Sequence, residues 1–181
     1  MLERRAALLR GINVGTAKRI AMADLRALFT DLGYQDVRTL LNSGNVAFSG
    51  AKARADSEAR RIEEAIARHL RVTTRVTILS AKEVAAAVDG NPLGHVAYNP
   101  SRLLLWVLEG EEVVARLRPL LTGRWAPDVL ALGGRVAYFW CAHGISKSPL
   151  LEAASRVLRD AGTARNFATM TKLRVLMDPV A

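Results

Sequence analysis

Cysteine is almost absent from this 181-residue chain, and the single Cys141 excludes an intrachain disulfide and any zinc or iron-sulfur centre built from several cysteines of one chain. Histidine is scarce too. His69, His95 and His143 are too scattered to argue for a metal, so neither metal nor cofactor is expected. No apolar run approaches the roughly 18 residues of a membrane helix, and no membrane partner is expected. The opening Met1-Leu2-Glu3-Arg4-Arg5 resembles the charged start of a signal peptide, yet Arg10 cuts short the apolar stretch Ala6-Ala7-Leu8-Leu9. Such a segment needs about 7 to 15 apolar residues, so a cytoplasmic setting is expected, one that also suits a lone thiol. Three nucleotide signatures are missing as well: the Walker loop, the dinucleotide G-x-G-x-x-G and the aromatic pattern of an RNA-recognition sheet.

What is present is an ordinary folding chain, 50% hydrophobic and 24% charged, with a net charge of +9. Hydrophobic content at this level excludes intrinsic disorder. The excess of cations favours phosphate-bearing partners, a small anionic ligand first and nucleic acid second. Its distribution tests the second. Residues 1–90 carry 15 basic and 10 acidic side chains and residues 91–181 carry 11 and 7, so no basic arm marks a nucleic-acid binder. Arginine supplies 21 of the 26 cations, which suits planar recognition of phosphate or carboxylate and equally suits an arginine-rich proteome.

Hydrophobic periodicity predicts an α+β chain of two related halves. Ala6 to Arg10 reads as a strand, and Met22, Leu25, Leu28, Phe29 and Leu32 as a helix closed by Gly33. Val37–Leu41 and Val46–Phe48 read as a hairpin across Asn42-Ser43-Gly44-Asn45. Ile62, Ala65, Ile66 and Leu70 mark a second helix, and Thr74–Leu79 a strand. This order, βαββαβ, is the ferredoxin-like unit. A short helix from Ala81 to Val88 leads into a turn-rich linker, after which residues 103–160 repeat the pattern as βαββα. There Glu111–Leu121 and Leu150–Asp160 are the helices, and a final helix from about Arg165 to Leu176 stands where the last strand would be. The expected organisation is a first subdomain over 1–90 and a second over 91–181, packed as one unit, either monomeric or homodimeric.

Three polar clusters are candidates for chemistry. In a βαββαβ sheet the end of the first strand lies beside the hairpin of the next two, which gathers Arg10, Gly11, Asn13, Lys18 and Arg19 near Asn42, Ser43, Gly44 and Asn45. Exposed backbone N–H groups, amides and cations suit a phosphate or carboxylate. Turn formation accounts equally for the Gly and Asn residues, though not for Arg10 in an apolar strand. In the second cluster, Ser148 and Pro149 read as the N-cap and first residue of a helix, with Lys147 and His143 beside a helix start that attracts anions. In the third, Phe167, Met170, Leu173 and Met177 mark a buried helix face, and Arg165, Thr169 and Lys172 line the opposite one, with Arg165 in the first turn. Cys141 and His143 on one strand face suggest a nucleophile and base, but nothing in the sequence orients the histidine. Trp106, Trp125 and Trp140 read as core or interface aromatics.

The run Leu8-Leu9-Arg10-Gly11-Ile12-Asn13-Val14-Gly15, with Met22-Ala23-Asp24-Leu25-Arg26, Val37-Arg38-Thr39, Ser43-Gly44-Asn45-Val46 and Thr163 to Leu173, resembles the bacterial domain-of-unknown-function 1697 family. The resemblance spans about residues 6–177 and implies two similar α+β subdomains, but no established activity. It places the family's signature on Arg10, Gly11, Asn13, Gly15, Ser43, Gly44, Asn45, Thr163, Arg165, Asn166, Thr169 and Lys172. The chain departs from it at Ser148-Pro149-Leu150, where Ser-Lys-Leu is usual, and at Phe167, where Trp is usual. The leading expectation is therefore binding of an anionic ligand by residues drawn from Arg10, Gly11, Asn13, Lys18, Ser43, Gly44, Asn45, Lys147, Arg165, Asn166, Thr169 and Lys172. The alternatives are a small enzyme acting on an anionic substrate through Cys141 or His143, and a homodimeric adaptor that uses a sheet face or edge.

Overall fold

The stretch Ala6-Ala7-Leu8-Leu9 is apolar at every position, and a strand of that kind is stable only with both faces covered. In the computed structural model, which describes residues 2–16 and 18–178, it forms the second half of β1 (Leu2–Leu9), and all four side chains are fully buried. The strand lies inside a sheet of order β2-β3-β1-β4, made with β2 (Gln35–Leu40), β3 (Asn45–Ala51) and β4 (Val76–Ser80). Every pairing is antiparallel. Ala7, Leu9, Val46, Phe48, Val76 and Ile78 from the sheet share a core with the apolar faces of two helices, α1 (Met22–Asp31) and α2 (Ala55–Ala65).

Local chemistry sets the ends of these elements. Gly33, at φ +85°, lets Tyr34 N–H reach back to Phe29 O at 3.1 Å, which closes α1 in a left-handed cap. Phe29, Tyr34 and Phe48 then meet ring to ring, with centroids 4.6–5.6 Å apart. α2 runs on through a π-turn, Ile66–Leu70, and stops at Arg71 with φ +56°. α3 (Ala81–Asp89) follows β4 directly and opens on a reciprocal capping box between Ser80 and Glu83.

Residues 86–171 make a second unit, and the first consists of Met1–Ala85 with Lys172–Ala181. The second holds β5 (Leu103–Val107), α4 (Glu111–Ala115), β6 (Val129–Gly133), β7 (Val136–Trp140), α5 (Pro149–Leu158) and β8 (Thr163–Asn166). Its sheet, β6-β7-β5-β8, is again antiparallel throughout and repeats the strand order of the first. Leu104, Trp106, Leu108, Ala137, Phe139 and Cys141 pack against Leu150, Ala154 and Leu158 of α5. α6 (Phe167–Met177) ends the described chain. The fold is thus α+β, with two four-stranded antiparallel sheets and six α-helices among the described residues. None of these helices is long and apolar enough to cross a membrane.

Two expectations fail. The helix expected over Glu111–Leu121 breaks into α4 and a 3-10 turn, Arg118–Thr122, because Pro119 has no N–H to donate and its ring crowds the preceding turn. The second half also has its last strand: β8 pairs with β5, Arg165 opposite Leu105, where a helix was expected to begin. Helical spacing of the apolar residues after Phe167 extends backward over the four residues of β8, three of them polar, so periodicity alone hides a strand this short.

Candidate functional site

The end of the first sheet does gather the loop residues. Leu9 N–H bonds to Gly44 O at 2.8 Å, and Arg10 N–H to Arg75 O at 2.9 Å, so three chain segments meet where β1 stops. Asn13 locks them. Its Nδ2 donates to Ile20 O at 2.9 Å and to Asn42 O at 2.7 Å, and its Oδ1 accepts from Ile20 N–H at 2.9 Å. A left-handed backbone at φ 55° makes this geometry possible, and Asn tolerates that conformation better than most residues. Asn13 is therefore the clasp between the 11–20 loop and the hairpin turn, and both its amide protons are committed.

Asn45 and Gly44 are committed as well. Asn45 is fully buried, and its Nδ2 donates to Leu40 O at 2.9 Å and Ser43 Oγ at 3.0 Å. At Gly44, φ is +76° and a Cβ would stand 2.7 Å from Leu9 Cβ, so only glycine fits. Gly11 differs. Its φ is +63°, but no atom outside its chain neighbours lies within 4 Å of where its Cβ would be, which leaves open space beside its Cα. Gly11, Lys18, Arg19 and Ser43 are exposed and Arg10 is half-buried. Residues 10–20, 41–44 and 71–75 contain Arg10, Lys18, Arg19, Arg71 and Arg75 and no carboxylate. Glu63 of α2 approaches Arg75 at 4.0 Å.

The other candidates stand elsewhere, in structural positions. Arg165 lies in β8, not on a helix face; it is buried and donates to Thr163 Oγ1 at 2.9 Å and Ala164 O at 2.8 Å. Burial pulls its pKa down to about 10, so it remains charged at neutral pH. Asn166 caps α6 by accepting Thr169 N–H at 2.9 Å, and Thr169, expected on the wet face, is buried. Lys172 is exposed on α6, in the part of that helix that belongs to the first unit. Lys147 is exposed in a 3-10 turn before α5. Ser148 is the expected N-cap: its Oγ accepts Leu151 N–H at 3.1 Å and donates to Asp128 Oδ2 at 2.6 Å, while Asp128 Oδ1 accepts Ala142 N–H. Cys141 and His143 lie past the end of β7 and do not share a strand face. The thiol is fully buried, its pKa pushed up chiefly by that burial, and the imidazole is exposed.

The strongest electrostatic feature of the first unit escapes sequence reading. Arg5 and Glu58 form a buried ion pair, Nη1 to Oε2 at 2.7 Å, with side chains 4% and 2% exposed. Arg5 also donates to Ala51 O and lies over the Phe48 ring, 5.7 Å from its centroid. Burial raises the Glu58 pKa against the pull of Arg5. Tyr34 is pushed up to about 12, first by burial and then by the Glu58 charge, although its hydroxyl makes no well-formed hydrogen bond. Gly50 makes room, since a Cβ there would meet Tyr34 Cδ1 at 2.9 Å. A residue as polar as Arg5 reads from the sequence as part of a charged leader; only the pairing of β1 beneath α2 turns it inward. Arg4, its neighbour, reaches the opposite side of the strand and donates to Met177 O at 3.3 Å and Asp178 O at 2.5 Å, capping the end of α6. No group of three metal-ligating side chains occurs among the described residues.

A repeated four-stranded antiparallel sheet, with a loop clasp at the end of the first strand, defines a duplicated α+β protein. The chain belongs to the family described as "Protein of unknown function (DUF1697)", whose model matches residues 2–138 and thus includes the clasp but not β8 or α6. A solved structure, the conserved bacterial protein SP0830 from Streptococcus pneumoniae, is similar over 98% of this chain and 100% of its own, with a TM-score of 0.80 and 26% identity. No curated protein matches the chain.

Proposed function

We propose that the protein binds a small phosphate- or carboxylate-bearing ligand at the strand-end loops of its first unit, and that it does so as a cytoplasmic protein built from two ferredoxin-like subdomains. Arg10, Lys18, the exposed Gly11 and the Ser43 hydroxyl are the contacting groups in this reading. Asn13, Gly44 and Asn45 hold them in place. The observation that carries it is the Asn13 clasp, which joins two loops that hold cations and a glycine and no carboxylate. Charge-assisted bonds from guanidinium and ammonium groups, with donors from backbone N–H, are what an oxyanion requires. Arg165, Asn166 and Thr169 already have structural work in β8 and at the start of α6, and this reading leaves them and Lys147 out.

Titration calorimetry with inorganic phosphate, pyrophosphate, citrate and a short single-stranded DNA tests the reading. Binding of one small anion, weakened by about 1.5–3 kcal/mol in Arg10→Ala and in Lys18→Ala, is the expected result. Isotherms that both substitutions leave unchanged contradict it. Binding of DNA alone, falling steeply with added salt, assigns the cations to a nucleic-acid partner instead.

A further inference from the structure

The two sheets have four edge strands, β2 and β4 in the first and β6 and β8 in the second. Edges invite pairing with other chains, and proteins blunt them with charge, bulges, brevity or covering structure. β2 carries Asp36 and Arg38 and a register shift between Gln35 and Arg38. β4 is mostly buried, its first N–H is taken by Glu63 Oε1, and α3 begins at the residue after its last. β8 is four residues long and contains the buried Arg165. β6 has none of these protections. Val129-Leu130-Ala131-Leu132-Gly133 has no charge and no proline, pairs with β7 without a register shift, and is at least partly exposed at every position.

Its register defines which backbone groups are offered. Gly133 stands opposite Val136 across the two-residue turn Gly134-Arg135, so Gly133, Ala131 and Val129 bond to β7. The N–H and C=O groups of Leu130 and Leu132 point the other way. An apolar fringe borders them, because Leu120, Trp125, Leu130 and Leu132 are only partly buried on the core and Leu121 is half exposed. The chain that flanks this edge is cationic. Residues 116–135 contain Arg116, Arg118, Arg124 and Arg135 and a single acid, Asp128, which is buried and bonded to Ala142 and Ser148.

We propose that β6 is a docking edge for an extended peptide segment that alternates apolar residues and carries acidic flanks, added antiparallel as a fifth strand of the second sheet. Main-chain bonds from Leu130 and Leu132 hold the peptide, the apolar fringe receives alternate side chains, and the arginines meet the acidic ends. A second copy of this chain is the poorer occupant, since pairing β6 with itself brings the same arginines together from two chains of +9 each. The anion site of the first unit has no part in this proposal.

Fluorescence polarisation with labelled strand-forming peptides of alternating Val and Thr, one flanked by Asp and one by Lys, tests it. The Asp-flanked peptide binds at least about tenfold more tightly at low salt. Leu132→Pro removes an outward N–H without touching the bonds to β7 and abolishes that binding, whereas Leu132→Ala, which keeps the N–H, retains it. The exposed double reversal Arg118→Glu with Arg124→Glu leaves the strand intact and inverts the preference between the peptides. Failure of both peptides to bind, equal affinity for both, or a preference unmoved by the double reversal overturns the proposal. So does a dimer in analytical ultracentrifugation that Leu132→Pro dissociates.

Discussion

A single buried pair shows how burial and charge compete in the first unit. Arg5 and Glu58 are both almost wholly removed from water, and the raised Glu58 pKa means that desolvation outweighs the attraction of its partner. Such a pair adds little net stability, yet breaking it is costly. Glu58→Ala is therefore expected to lower the unfolding free energy by about 3–5 kcal/mol in urea titrations, because it leaves the buried Arg5 guanidinium without its counter-charge. The double substitution Arg5→Met with Glu58→Leu recovers most of that loss. Tyr34 sets a second residue-scale expectation. Its folded pKa of about 12 lies above the ordinary 10, so its contribution is fully present below pH 10 and is lost as pH rises through about 12. Denaturation curves across this window lose on the order of 2 kcal/mol more in the native protein than in Tyr34→Phe. Equal losses in the two would show that Tyr34 ionises freely.

At the scale of elements, much of the fold is legible because its signals are local and repeated. Apolar residues three and four apart mark α1 and α2, Gly33 closes α1, and Ser148-Pro149 starts α5, each where its side-chain chemistry demands. The topology of the first half also predicts that the loop after β1 meets the hairpin turn, and Asn13 bonds to Asn42 across the two. β8 is illegible because its four residues carry an Arg and an Asn, and its edge pairing rests on β5 rather than on any pattern of its own. The inward turn of Arg5 and the burial of Arg165 are illegible for a related reason: both depend on tertiary pairing that overrides the polar character of the residue. The clasp gives a direct test at this scale. Asn13→Ala removes three hydrogen bonds and is expected to cost about 1–3 kcal/mol of stability in chemical denaturation. Its effect is greatest on the 11–20 loop, where hydrogen exchange at Ile20 should accelerate. Protection of that amide as in the native protein would mean that the loop is held by other contacts.

Across the whole molecule, two units repeat one strand order with little shared sequence, and the polar residues divide between them by role. In the second unit, Asp128, Ser148, Thr163, Arg165 and Asn166 satisfy one another or the backbone around them. In the first, the strand-end loops keep Lys18, Arg19, Gly11 and Ser43 at the surface around a structural clasp. A net charge of +9 spread evenly along the chain attracts anions without selecting any, so selectivity has to come from that local arrangement. The most direct test is titration calorimetry of pyrophosphate, at low and moderate salt, into the native protein, Arg10→Ala, and a surface control, Arg60→Ala, on the exposed side of α2. A site at the loops gives one-to-one binding that survives moderate salt, is weakened about tenfold or more in Arg10→Ala, and is unchanged in Arg60→Ala. Heats that vanish with salt, or that fall alike in both variants, would contradict it and reduce the attraction to net charge alone.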